Sequence, residues 1–147
     1  MNSTLIDTHA HLHLLPEKIR EEVILRARKA GVKKIVNVAC QIKDMKECLK
    51  LAKEDEFIWT TAGIHPTDLS DNLEQDLKTI ENYGRNEKKV VAIGETGIDF
   101  FHDDSNFDQQ KKVFIQHIEL AQEFNLPLVM HGRDSREGAG PGAAAVA

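Results

Sequence analysis

The stretch Val90–Asp99, VVAIGETGID, joins a short apolar run to a glutamate that is flanked by glycines. The apolar residues before Gly94 predict a buried β-strand, and Glu95 follows at the point where that strand is expected to end. Carboxylates are rarely buried without a partner, and a metal ion is one such partner. This segment therefore predicts a core strand with a polar site at its carboxyl end.

Short β-branched runs alternate with longer amphipathic runs on both sides of this stretch. Strands are predicted over 4–8, 34–39, 57–62, 90–94 and 126–130, and helices over 16–30, 44–54, 71–83 and 107–124. Pro16 suits a first helical turn, whereas Gly31 and Gly84 suit helix ends. The alternation predicts an α/β fold in which apolar parallel strands are covered by helices, either an open doubly wound sheet or a TIM (β/α)₈ barrel. Because no glycine-rich phosphate loop follows the first strand, the dinucleotide-binding form of the open sheet is disfavoured.

Histidine or glutamate follows four of the five predicted strands. His9 and His11 close the first strand, and the alternation of strand side chains places both on one side, a workable chelate spacing. His65 lies between the third strand and a proline, which restricts its backbone. Glu95 and His131 end the fourth and fifth strands. Since the carboxyl ends of parallel strands meet on one face, His9, His11, Glu95 and His131 are predicted to line one metal-binding pocket.

Other residues have a structural interpretation. Solvated positions are predicted for His102 and His117, and packing roles for Trp59 and for three phenylalanines of the fourth helix: Phe107, Phe114 and Phe124. Cys40 and Cys48 are expected to be reduced structural thiols, because two cysteines are too few for a disulfide framework.

Composition limits the partners and the location. The 147 residues include 19 Lys and Arg and 24 Asp and Glu, which gives a net charge of −5. The sequence has no basic stripe of the kind that binds the phosphates of duplex DNA. A phosphate substrate would therefore need a bound metal to supply positive charge. No apolar run is long enough for a membrane helix and no secretory signal begins the chain, so the sequence favours a cytoplasmic protein without a membrane partner.

Residues 137–147 depart from this pattern. The segment GAGPGAAAVA over residues 138–147 has no charge and no large side chain. It is interpreted as a disordered Gly/Ala tail foreign to the fold, and residues 1–136 as the folded part.

Four motifs together resemble the TatD family of metal-dependent deoxyribonucleases, which are amidohydrolase-like TIM barrels. They are IDTHAHL (6–12), TTAGIHP (60–66), AIGETGIDF (92–100) and LPLVMHGRDS (126–135), in the family's order and spacing. The resemblance implies a hydrolase that cleaves phosphodiester bonds of DNA, often trimming single strands from the 3′ end. It also implies two divalent ions (Mg, Mn or Zn), which can activate water and stabilise the leaving oxygen.

Site roles carry over by resemblance to seven residues. By this resemblance, His9 and His11 would hold the first ion and His131 the second. Glu95 would bridge both ions and act as a catalytic residue. His65 and Arg133 would contact the substrate phosphate, and Asp99 would support the site.

The resemblance also reveals a departure. Family members run to roughly 250 residues and carry two further ligands, a histidine and an aspartate, beyond the fifth strand. This chain has no histidine after His131, and we expect about five β/α units, at most one bound ion, and self-association through exposed barrel edges. Two alternatives remain: a related metal-dependent amidohydrolase or phosphoesterase acting on a small substrate, or an inactive metal-binding remnant, with or without a partner that supplies the missing ligands.

Overall fold

Five parallel strands form one sheet in the order in which they occur in the chain. The computed structural model describes residues 4–101 and 106–134. The elements are β1 (Leu5–Ala10), α1 (Glu17–Lys29), β2 (Val32–Asn37), α2 (Ile42–Glu54), β3 (Ile58–Ala62), α3 (Leu73–Asn86), β4 (Val90–Asp99), α4 (Phe107–Phe124) and β5 (Leu128–Arg133), with 3₁₀ turns at Leu12–Leu14 and Pro66–Asp68. A doubly wound sheet reverses its strand order, so the sequential order is that of a (β/α)₈ barrel wall.

The centre of the sheet is buried and its two edges are exposed. β3 and most of β4 are buried, as predicted for strands covered on both faces. β1 departs from that prediction because β2 is its only neighbour in the described residues, and Leu5 and Ile6 are 50% and 54% exposed. β5 lies at the opposite edge beside β4, and its Met130 is 44% exposed. A cavity between these edges is lined by residues of β1, β2, β4 and β5.

Several element boundaries differ from the prediction. β4 does not end at Gly94 but continues to Asp99, so Glu95 lies within a strand. β1 continues to Ala10, which places His9 on the strand itself. Helix α3 passes through Gly84, where a side chain would lie 2.8 Å from the ring of Phe124. Gly84 therefore permits α4 to pack against α3 and does not end the helix.

His117 is buried, contrary to the predicted solvated position. Its Nδ1–H donates to the carbonyl of Val113 (2.8 Å), and its Nε2 accepts from the backbone N–H of Ile64 (3.2 Å). The ring therefore joins α4 to the segment directly before His65. The helical pattern of the sequence did not reveal that His117 lies on the buried face of α4, because histidine occurs on buried and on exposed helix faces.

The remaining predictions concern Trp59, the two cysteines, His102, the tail and membrane helices. Trp59 is half-buried, with the ammonium groups of Lys34 and Lys89 5.5 Å and 4.8 Å from its ring. Cys40 and Cys48 are free thiols, and burial raises the pKa of each to about 12. His102 and the predicted tail over 137–147 lie outside the described residues. Within the described ranges, no helix is both long and apolar enough to cross a membrane.

The buried His117 predicts a pH-dependent stability. Burial lowers its pKa from 6.5 to about 4, so between these values the unfolded chain binds a proton that the folded chain excludes. This contribution to the free energy of unfolding is complete above pH 6.5 and is lost as the pH falls to 4, by about 3 kcal/mol at 1.36 kcal/mol per pKa unit. Urea unfolding of the wild type and of His117→Gln at several pH values should show a flatter pH profile for the variant. Parallel profiles would contradict this role.

Candidate metal centre

Glu95 lies at the centre of a cluster of histidines. Its side chain is 8% exposed, and its Oε2 is 3.2 Å from Nε2 of His9 and 4.0 Å from Nε2 of His11. The other oxygen, Oε1, is 3.3 Å from Nδ1 of His131. One carboxylate therefore faces histidines from both edges of the sheet, with β1 on one side and β5 on the other.

The sequence at the end of β1 places His9 and His11 on the same side. Asp7 accepts a hydrogen bond from the backbone N–H of His9 (3.1 Å), and His11 begins the following 3₁₀ turn. The Nδ1–H of His11 donates to the carbonyl of Val38 (2.9 Å), which leaves the Nε2 lone pair directed towards Glu95. Histidines that ligate metals are oriented by this type of bond to the second ring nitrogen.

Two glycines in β4 allow β5 to approach the site closely. Gly97 pairs with His131 and has a φ of +143°, and a Cβ at this position would overlap the carbonyl oxygen of His131. Gly94, with a φ of +130°, meets the carbonyl oxygen of Val129 in the same way. The glycines around Glu95 thus have a structural purpose, since only residues without a side chain bring His131 this close.

Asp99 orients His131 from the end of β4. Its Oδ2 accepts from Nε2 of His131 (2.9 Å), and its Oδ1 accepts from the backbone N–H of Phe101 (2.8 Å). Asp99 is 2% exposed, so this bond is shielded from water. Because Nε2 carries the proton, Nδ1 of His131 offers its lone pair on the side of Glu95.

His65 lies beside His131, with the ring centroids 4.2 Å apart. The Nδ1 of His65 accepts from the backbone N–H of Thr67 (3.3 Å) and lies 2.7 Å from its hydroxyl. Burial, and then the neighbouring His131, lower the pKa of His65 and favour the neutral ring. The neutral ring then carries its proton on Nε2, where it can donate a hydrogen bond.

The side chains form two groups that share Glu95. One group is His9, His11 and Glu95, and the other is His65, Glu95 and His131; within each group the candidate ligand atoms lie within 4.8 Å of one another. Imidazole nitrogens with a carboxylate oxygen suit Zn²⁺ and other first-row divalent ions. The donor chemistry and the fixed ring orientations of His11 and His131 therefore fit a metal ion.

Arg133 does not join this cluster. Its guanidinium lies 3.4 Å from the centroid of the Phe101 ring, and the side chain is exposed. Among the described residues it makes no ion pair with a carboxylate. It is therefore an exposed cation that contacts an aromatic ring and lies outside the cluster around Glu95.

Sequence reasoning missed several residues around the cluster. The buried side chain of Asn37, at the end of β2, accepts from the backbone N–H of Leu12 (2.7 Å) and lies 3.2 Å from Nδ1 of His13. Cys40 places its Sγ 3.7 Å from Nδ1 of His11 and 4.0 Å from Oε2 of Glu95. The end of β2 carries no histidine or acidic residue, so a search for charged ligands at strand ends passed over both.

Comparison with known proteins identifies relatives over most of the chain. The profile of the family described as "TatD related DNase" matches residues 6–140. The metal-dependent hydrolase YabD of Bacillus subtilis is 42% identical over 134 residues, which cover 90% of this chain and 52% of YabD. The 3′-5′ ssDNA/RNA exonuclease TatD of Shigella flexneri is 34% identical over 120 residues, covering 82% of this chain and 46% of the exonuclease.

A solved structure has the same fold. The crystal structure of YjjV, a TatD homologue from Escherichia coli, superposes with a TM-score of 0.80 at 33% identity, covering 93% of this chain and 52% of YjjV. The chain thus spans about half the length of the relatives that it matches. The five-stranded sheet corresponds to half of a TIM barrel.

The bond between Asp99 and His131 predicts a loss of metal affinity in Asp99→Asn. The amide would no longer fix the proton on Nε2 of His131, and removal of such an outer partner weakens metal binding by about 10- to 100-fold. Competition between Mn²⁺ and a metal-sensitive dye would measure the change. Asp76→Asn, on α3 and outside the cluster around Glu95, is the matched control, and equal affinities for the two variants would refute the role.

Proposed function

The chain belongs to the TatD-related DNase family, and from this premise we propose that it carries the metal centre of a hydrolase that cleaves phosphodiester bonds of DNA from the 3′ end. The observation that carries the proposal is the position of Glu95, a buried carboxylate between His9 and His11 on one side and His131 on the other. A carboxylate with a purely structural role needs one partner, whereas Glu95 faces three imidazoles that come from opposite edges of the sheet.

Glu95 and the histidines would hold the metal. His9, His11 and Glu95 would hold a first ion, and in a two-ion site His131 would hold a second ion together with Glu95, which would also be the catalytic carboxylate. A bound divalent ion would supply an activated water and neutralise charge on the phosphate. Nδ1 of His65 accepts from the backbone N–H of Thr67 and Nε2 carries the proton, so His65 offers no free lone pair to the second group. This supports binding of at most one ion by the chain as it stands.

The chain's own residues would position the substrate. Nε2–H of His65, held by Thr67, would donate to a phosphate oxygen, and the guanidinium of Arg133 would bind phosphate through its paired N–H groups. Asp99 would act only through His131, by fixing its proton. These cationic and neutral donors suit an anionic substrate in a protein whose net charge is −5.

We also propose single-stranded DNA as the substrate and the cytoplasm as the location. The 3′-5′ exonuclease relatives support the first, and the free thiols of Cys40 and Cys48 support the second. A second copy of the chain is the proposed partner. The open edges of β1 and β5 and the exposed Leu5, Ile6 and Met130 support this association.

A variant of Glu95 tests metal binding and activity together. We expect equilibrium dialysis to give at most one Mn²⁺ per wild-type chain, and Mn²⁺-dependent shortening of 3′ ends in single-stranded DNA. Because Glu95 belongs to both groups, Glu95→Gln should weaken Mn²⁺ binding at least tenfold, while Glu119→Gln, at an exposed position of α4, should leave it unchanged.

Each contrary result has its own meaning. Cleavage of a small phosphate ester without cleavage of DNA would favour the small-substrate phosphoesterase. A bound ion without turnover of either substrate would favour the inactive remnant. Unchanged Mn²⁺ affinity in Glu95→Gln would refute the site itself.

The exposed edges predict self-association at micromolar concentration. Sedimentation velocity should show a dimer or larger species, because pairing covers the open backbone groups and apolar side chains of β1 and β5. Ile6→Lys, at the exposed edge, should shift the distribution towards monomer, and Lys43→Glu on α2 serves as the control. A wild-type monomer that melts cooperatively would contradict this prediction.

A further inference from the structure

We propose that Phe101 is a positioning residue that holds the guanidinium of Arg133 for the phosphate next to the one being cleaved, so that the site selects a polynucleotide over a lone phosphate ester. This inference rests on the proposed function and adds a specificity to it. Its central observation is that the guanidinium carbon of Arg133 lies over the Phe101 ring, 3.4 Å from the ring centroid.

Phe101 and Arg133 lie two residues beyond Asp99 and His131, respectively, towards the carboxyl ends of β4 and β5. His131 and Arg133 are two residues apart on β5, so their side chains share one side of the strand, about 6–7 Å apart along it. Asp99, at the end of β4, pairs with Arg133, and Phe101 follows two residues later. The side-chain contacts run diagonally across this register: Asp99 bonds His131, here called the lower layer, and Phe101 contacts Arg133, here called the upper layer.

Backbone hydrogen bonds fix both members of the upper layer. The N–H of Phe101 donates to the same Asp99 carboxylate that orients His131 (2.8 Å), and the N–H of Phe100 donates to the carbonyl of Arg133 (2.9 Å). Without the aromatic face, the long Arg133 side chain could swing down to the ligand layer or out into water. Stacking holds the planar guanidinium in the upper layer while its edge N–H groups remain available.

The two phosphate-binding groups then have different targets. His65 lies beside His131, with ring centroids 4.2 Å apart, and serves the phosphate at the ligand layer. Arg133 follows His131 by two residues on β5, about 6–7 Å farther along the strand, which is comparable to the spacing of successive phosphates in an extended strand. Because Arg133 has no carboxylate partner among the described residues, its charge is available for the second phosphate.

The test compares three fluorescein-labelled dT₆ strands by anisotropy in Mn²⁺ at 4 °C, with the strands checked for cleavage by electrophoresis. One strand is unmodified; the second has a neutral methylphosphonate at the second linkage from the 3′ end, and the third has it at the fourth. We expect the wild type to bind the second strand about tenfold more weakly than the third, because only the second loses the charge-assisted bond to Arg133.

Variants separate positioning from general stability. Phe101→Leu should remove most of the difference between the two modified strands, and Phe101→Tyr should retain it, with Mn²⁺ affinity unchanged in both. Phe100→Leu, whose ring packs on Phe107, is the matched aromatic control and should keep the difference. The Nε–H proton resonance of Arg133 should show an upfield ring-current shift that is absent in Phe101→Leu.

The possible failures are distinguishable. If the wild type binds the modified strands equally, or if Phe101→Leu discriminates as well as the wild type, the inference is overturned while the proposed function stands. If no strand binds although Mn²⁺ does, the proposed function and the inference both fail.

Discussion

Burial of the Glu95 carboxylate is the constraint on which the site depends. A charge with 8% of its side chain exposed is unfavourable in a protein interior unless compensating groups surround it. Here His9 and His11 approach one oxygen and His131 the other, so the Glu95 side chain lies between histidines from the β1 and β5 edges of the sheet. Removal of any of these rings would leave the carboxylate with fewer partners.

This coupling needs a close contact between β4 and β5. Gly94 and Gly97 stand where any side chain would overlap a carbonyl oxygen of β5, and the register places His131 beside Gly97. The same pairing of β4 with β5 allows Asp99 to bond Nε2 of His131 and Phe101 to contact the guanidinium of Arg133. The residues around Glu95 therefore determine at once the packing of the sheet, the orientation of a ligand and the position of a cation.

Apart from the Asp99 carboxylate, which orients His131, the hydrogen-bonded support behind the site is neutral. His117 holds the segment before His65, Asn37 holds the segment after β1, and the carbonyl of Val38 orients His11. Backbone and amide partners add no charge around Glu95, which leaves the balance of charge to the histidines and to a cation. The edges of β1 and β5 are the part of the sheet that this support does not cover.

The sequence by itself determined the parallel α/β class, the number of strands, and the set of histidines and glutamate at the strand ends, because apolar periodicity and residue type are local properties. The order of the strands, which distinguishes a barrel wall from a doubly wound sheet, required the hydrogen-bond pairing. Tertiary structure also decided that β4 continues past Glu95, that His117 is buried, and that Phe101 stacks on Arg133. Each of these depends on contacts between residues far apart in the chain, such as Ile64 with His117 and Asp99 with His131, whose distances no local pattern specifies.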